Sequence, residues 1–191
     1  MTVNIALLRG INVGGKNKIK MADLREALTA IGLQDVQTYI QSGNILFKSD
    51  EGEAALRSRI EEQIETVFGL SIKVIIRTAE EMRVIAASCP FTEEQLAAAA
   101  ATAQGEYLYV SMMLQAPTAE QLETLRSFET DKELFDCKGR DLYLLFYETV
   151  RNSKLAVKAE KLGVHSTVRN WNTINKLVSL ADGMESSTSP S

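Results

Sequence analysis

The segment Arg9-Gly10-Ile11-Asn12-Val13-Gly14-Gly15-Lys16-Asn17 places an arginine, three glycines and a lysine directly after an apolar run. Glycines admit backbone conformations in which N–H groups converge on an anion, and Arg9 and Lys16 add full positive charge. From Gly10 the spacing nearly matches the phosphate-loop pattern G-x-x-x-x-G-K-[ST]. Asn17 stands where that pattern needs a hydroxyl to hold magnesium, and the next helix starts near residues 20–22, too late to put Lys16 in its first turn. A nucleoside triphosphatase is therefore rejected. The physics of anion capture survives that rejection, because a helix N-terminus still follows the loop. Arg9, Gly10, Asn12, Gly14, Gly15 and Lys16 are the first candidate site residues, for a small phosphorylated ligand.

Other chemistry-bearing residues are sparser. Ser42 and Asn44 flank Gly43 in a short turn, and Thr167-Val168-Arg169-Asn170-Trp171-Asn172-Thr173 carries the single tryptophan between two asparagines. Asn170 suits a helix cap and Trp171 suits packing, which leaves Arg169 and Asn172 as further candidate ligand contacts. Lys154, Lys158 and Lys161 share one helix face, a pattern that more often marks a solvated surface than a binding one. His165 is the lone histidine, and no nucleophile or carboxylate at a recognisable spacing makes it a general base. Cys89 and Cys137 sit in unrelated contexts, so neither a disulfide nor a thiol nucleophile is expected. No Cys/His cluster has metal-ligand spacing, and no metal or cofactor is expected. Tyr107 and Tyr109 alternate in a strand; sheet packing is favoured over base stacking. No catalytic motif is complete, so catalysis is left open.

Charge is distributed unevenly. Residues 9–20 hold four cations and no acid, and residues 151–176 hold six cations against one acid, Glu160, so together they carry +9. With a whole-chain charge of −4, the remainder carries −13. An acidic body with two basic segments points to selective anion capture rather than indiscriminate coating of nucleic acid. The 191 residues, 45% hydrophobic and 24% charged, have the composition of a globular protein. No apolar run is long enough to span a bilayer and no signal-peptide pattern opens the chain, so the expected location is the cytoplasm, away from membranes.

These residues hang on short strands and capped helices. Val3–Leu8 reads as a strand, residues 21–31 as a helix stopped by Gly32, Val36–Ile40 and Ile45–Phe47 as a hairpin, Ala54–Phe68 as a helix stopped by Gly69, and Ile72–Ile76 as a strand. Thr78 with Glu81 and Thr92 with Gln95 announce two connecting helices around Pro90. The first pattern then recurs: strand Tyr107–Leu114, a helix opened by Thr118 with Gln121, strands Glu133–Cys137 and Leu142–Tyr147, and helix Ser153–Leu162. A last helix spans 170–182. The expected class is α+β, a tandem duplication of ferredoxin-like βαββαβ subdomains with antiparallel sheets and a C-terminal helix. The boundaries are 1–78, a helical connector 79–105, 106–182, and a flexible tail 183–191. First strand to hairpin takes 33 positions in the first copy (3 to 36) and 25 in the second (107 to 132). Most of the excess is the segment 9–20, so the fold can be built without it.

The stretches ALLRGINVGGKNKIKMADLREAL (6–28), YIQSGNILF (39–47) and TVRNWNTINKL (167–177), with SCPF (88–91) and NSKL (152–155), resemble the bacterial "domain of unknown function 1697" family over essentially the whole chain. The resemblance implies paired ferredoxin-like subdomains. It implies no activity and carries over no catalytic residue. Its signatures fall at Arg9–Lys16, Ser42–Asn44 and Arg169–Thr173, which suggests that they converge. Besides a small anionic ligand, three other functions are weighed: an RNA- or DNA-binding module, an enzyme using the same pocket with Lys16 or His165 in proton transfer, for which no activated pair is visible, and a protein–protein module or homodimer without a small-molecule site. Oligomeric state is not legible.

Overall fold

A computed structural model describes residues 1–187. The chain forms two compact units, Met1–Val84 with the segment from Asn175 onward, and Ile85–Ile174. The chain passes between them within two helices, α3 (Ala79–Ala87) and α7 (Trp171–Ser186).

The first unit contains β1 (Thr2–Leu8), α1 (Met21–Ala30), β2 (Gln34–Tyr39), β3 (Asn44–Ser49), α2 (Glu53–Phe68) and β4 (Val74–Thr78). All pairings are antiparallel and the strand order is β2-β3-β1-β4. Alternate strand residues Ala6, Leu8, Ile45, Phe47, Val74 and Ile76 pack under Leu24 and Leu28 of α1 and Leu56, Ile60 and Ile64 of α2. The intervening positions Ile5, Leu7, Leu46 and Ile75 are buried as well. Strands covered on both faces lose the polar–apolar alternation, which is why Ile5–Leu8 of β1 and Ile45–Phe47 of β3 are unbroken apolar runs. Edge strand β2 carries a one-residue bulge between Gln34 and Gln37, with Asp35 in the left-handed region at φ +51°. Lys48 of β3, nearly buried, pairs with that Asp35 at 3.0 Å.

The second unit repeats the plan with α4 (Glu93–Thr102), β5 (Leu108–Met113), α5 (Ala119–Arg126), β6 (Glu133–Lys138), β7 (Asp141–Phe146), α6 (Lys154–Glu160) and β8 (Ser166–Asn170). Its strand order is β6-β7-β5-β8, the same as in the first unit. Each unit is a βαββαβ ferredoxin-like sheet, so the fold is α+β and duplicated. The copies agree down to a buried arginine in the closing strand: Arg77 lies opposite Ile5, and Arg169 opposite Val110.

The caps fall where the sequence puts them. Thr78–Glu81, Thr92–Gln95 and Thr118–Gln121 each exchange two hydrogen bonds, the side chain of the third helical residue accepting from the N–H of the capping threonine. Helix α7 runs to Ser186 rather than stopping at 182, because Leu177, Ala181 and Met184 continue one buried stripe. The remainder of the expected tail, 188–191, lies outside the described residues. No helix is long and apolar enough to cross a membrane among the described residues.

Candidate functional site

The connection from β1 to α1 takes residues 9–20, whereas β5 reaches α5 through 114–118. The long connection is not loose. Val13-Gly14-Gly15-Lys16 forms a tight turn with φ +59° at Gly14 and +75° at Gly15, closed by Lys16 N–H donating to Val13 O at 3.0 Å. Two successive left-handed residues are what a type I′ turn demands, and paired glycines adopt them without steric cost. Asn12 N–H donates to Asn17 O at 3.1 Å, extending the turn into a miniature hairpin. Ile11 and Ile19, both buried, anchor its two ends in the core of the first unit.

Asn12 is the clasp of this loop. Its Nδ2 donates to Ile19 O at 3.0 Å and to Gln41 O at 2.8 Å, while its Oδ1 accepts from Ile19 N at 2.9 Å. One carboxamide thus joins both ends of the loop to the β2–β3 turn. That turn meets the root of the loop a second time, where Leu8 N–H donates to Gly43 O at 2.9 Å. The stretches 9–16 and 42–44 therefore do come together. Asn44 is fully buried and donates through Nδ2 to Tyr39 O and to Ser42 Oγ, both at 2.9 Å, which shapes the turn from inside. Gly10 accepts from Asn17 Nδ2 at 3.0 Å.

Arg9, Lys16, Lys18 and Lys20 are all exposed, and none pairs with a carboxylate among the described residues. Some cations elsewhere are paired, Arg83 with Glu80, Asp182 and Glu185 and Arg126 with Glu129, while others, such as Arg57, Lys154 and Lys161, have no carboxylate partner among the described residues. Beside the loop lies an open cleft of about 630 Å³ lined by Asn12, Gly15, Lys18, Ile19, Lys20, Asp23, Gln41 and Phe68. Of the residues singled out by sequence, Asn12 and Gly15 line it. Gln41, Asp23 and Phe68 were not foreseen. They arrive from a turn, the start of α1 and the end of α2, and no local pattern links them.

Arg169 and Asn172 lie in the second unit. Arg169 is buried in β8, where it donates to Thr167 Oγ1 at 2.7 Å and Val168 O at 2.9 Å, and burial lowers its pKa to about 10. Its counterpart Arg77 occurs in the copy with the long loop and Arg169 in the copy without it, so this register position follows the sheet rather than the loop. Asn172 Nδ2 donates to Glu106 Oε1 at 2.8 Å, and Asn170 Oδ1 caps α7 by accepting from Thr173 N at 2.8 Å. Tyr109 meets Phe146 edge-on, with ring centroids 5.8 Å apart, as sheet packing requires.

The remaining reactive side chains offer little chemistry. His165 is exposed, and its side chain has no hydrogen-bond partner among the described residues. No group of three or more His, Cys, Asp or Glu is placed to hold a metal among the described residues. Both cysteines are free, and burial, reinforced by Asp141 and Asp136, pushes the Cys137 thiol up to about 11. A raised pKa keeps the thiol protonated at neutral pH. In a Cys89→Ser background, alkylation of Cys137 by iodoacetamide is expected to be slow at pH 7.5 and to rise about tenfold per pH unit through pH 8–10. A plateau below pH 9 would contradict this.

The sequence profile of the family described as protein of unknown function (DUF1697) matches residues 1–143. The match includes the loop, the β2–β3 turn and α2, and ends before β8. No curated protein matches the chain. Among solved structures, the conserved bacterial protein SP0830 from Streptococcus pneumoniae is similar, with a TM-score of 0.72 and 28% identity over 94% of this chain and 98% of that one.

Proposed function

This chain belongs to the DUF1697 family of proteins of unknown function, and we propose that it binds a small phosphorylated anion at the loop 9–20. One observation carries the reading: four exposed cations on a clasped loop beside a cleft, with no carboxylate partner among the described residues. Like charges held together on a built scaffold repel one another, and an anion relieves that repulsion. Lys16, Lys18 and Lys20 supply charge, with Arg9 at the root. Gly14 and Gly15 supply exposed N–H groups that have no protein partner among the described residues. Asn12, Ser42 and Asn44 frame the site, since their side chains bond within the loop and turn.

Calorimetric titration with inorganic pyrophosphate tests this. Lys16→Ala and Lys18→Ala are each expected to weaken binding about fivefold to tenfold, the effect of losing one charge-assisted hydrogen bond near water. Melting temperatures should not move, because these side chains touch nothing that holds the fold. Affinity should also fall as salt rises. Equal pyrophosphate affinity in wild type and both variants would remove the proposal.

A further inference from the structure

The anion reading leaves part of the cleft unexplained. A phosphate group needs the lysines and the loop backbone, yet the lining also contains Phe68, Ile19 and the carboxylate of Asp23. Asp23 is the informative residue. It occupies the third position of α1, where Glu81, Gln95 and Gln121 reach back to bond the capping N–H in α3, α4 and α5. Asp23 makes no such bond, and its side chain has no partner among the described residues. A carboxylate repels a phosphate and accepts from hydroxyl or amino donors. A ligand that fills this cleft therefore needs an anionic end for the lysines, hydrogen-bond donors for Asp23, and an apolar face for half-buried Phe68. The volume of about 630 Å³ is far larger than a lone phosphate requires.

We propose that the cleft takes a nucleoside phosphate, with its phosphates at Gly15, Lys18 and Lys20, its sugar or base donors on Asp23, and its base against Phe68. This rests on the anion reading of the same loop. A sugar phosphate has the donors but no flat apolar face; a phosphorylated lipid has the apolar part but few donors. Aromatic contact with a base is tolerant of base identity.

The test is calorimetric titration of the whole chain with pyrophosphate and with ADP, GDP, CDP and UDP. At least one diphosphate is expected to bind about tenfold more tightly than pyrophosphate, the scale of one stacked base. Phe68→Leu keeps the apolar volume but removes the ring, and should shrink that ratio to about twofold. Asp23→Asn should strengthen pyrophosphate binding by removing repulsion, and should also narrow the ratio. If pyrophosphate binds as tightly as every nucleoside diphosphate, the inference fails while the anion reading stands. If nothing binds, both fail. If single-stranded RNA binds far more tightly than any mononucleotide, the inference is overturned in favour of a polynucleotide surface.

Discussion

Replacing Gly43 by alanine is expected to cost about 2–5 kcal/mol of unfolding free energy, far more than its single methyl suggests. A Cβ at Gly43 would stand 2.7 Å from Ile11 Cδ1 and 2.8 Å from Leu8 Cβ. The isoleucine tip can swing aside, but Leu8 Cβ is fixed to β1, whose end donates its N–H to the Gly43 carbonyl. Gly43 also has φ +84°, a region costing an L-residue about 1–2 kcal/mol. Overpacking in a closed core adds about 1–3 kcal/mol. The urea midpoint should fall with an unchanged slope. Gly14→Ala is the internal control. It too has positive φ, but a methyl group there would find nothing within 4 Å, so only the conformational cost remains. Equal midpoints for the two variants would show that the β2–β3 turn does not grip the loop root as described.

The second large effect belongs to Asn12. Asn12→Ala removes three hydrogen bonds at once, about 1 kcal/mol each, and leaves the Ile19 N–H and two carbonyls to find water. A loss of about 2–3 kcal/mol is expected, concentrated in the loop. Amide exchange in residues 12–19 should accelerate more than in β1 or α2. Asn12→Asp should be worse than alanine at neutral pH, since a carboxylate oxygen would face the carbonyls of Ile19 and Gln41. Protonation restores one donor, so the folded-state pKa of that aspartate is raised. Its penalty should therefore grow as pH rises through the carboxylate range and shrink in acid. Pyrophosphate binding should weaken in both variants, because Asn12 fixes the shape of the loop that carries Lys16 and Lys18. Uniform exchange across the unit in Asn12→Ala would argue against a clasp.

Much of the fold is written locally. The Thr–x–x–Glu and Thr–x–x–Gln boxes set helix starts, and Gly69, at φ +69°, closes α2. Strand β8 is harder to read because Ser166-Thr167-Val168-Arg169-Asn170 has one apolar residue, and its burial comes from sheet pairing with β5. The basic loop is equally plain in sequence, but its division of labour is not. Residue type cannot say whether an asparagine carboxamide is spent on the backbone, as at Asn12 and Asn44, or offered to a ligand. Nor can periodicity separate Phe68 from the core stripe of α2, since it packs against that core and lines the cleft as well.

The bulge in β2 has a consequence for self-association. An outermost strand with a regular row of N–H and C=O groups is a template onto which a second chain can add. In β2 the extra residue between Gln34 and Gln37, and the left-handed turn of Asp35, break that row near its start. The charged Lys48–Asp35 pair sits at the same place. Sheet-to-sheet dimerisation through this edge would have to bury that pair and leave backbone donors unmatched. A homodimer of this chain, if formed, is directed to some other surface, and the first unit's sheet is protected from growing into a continuous stack.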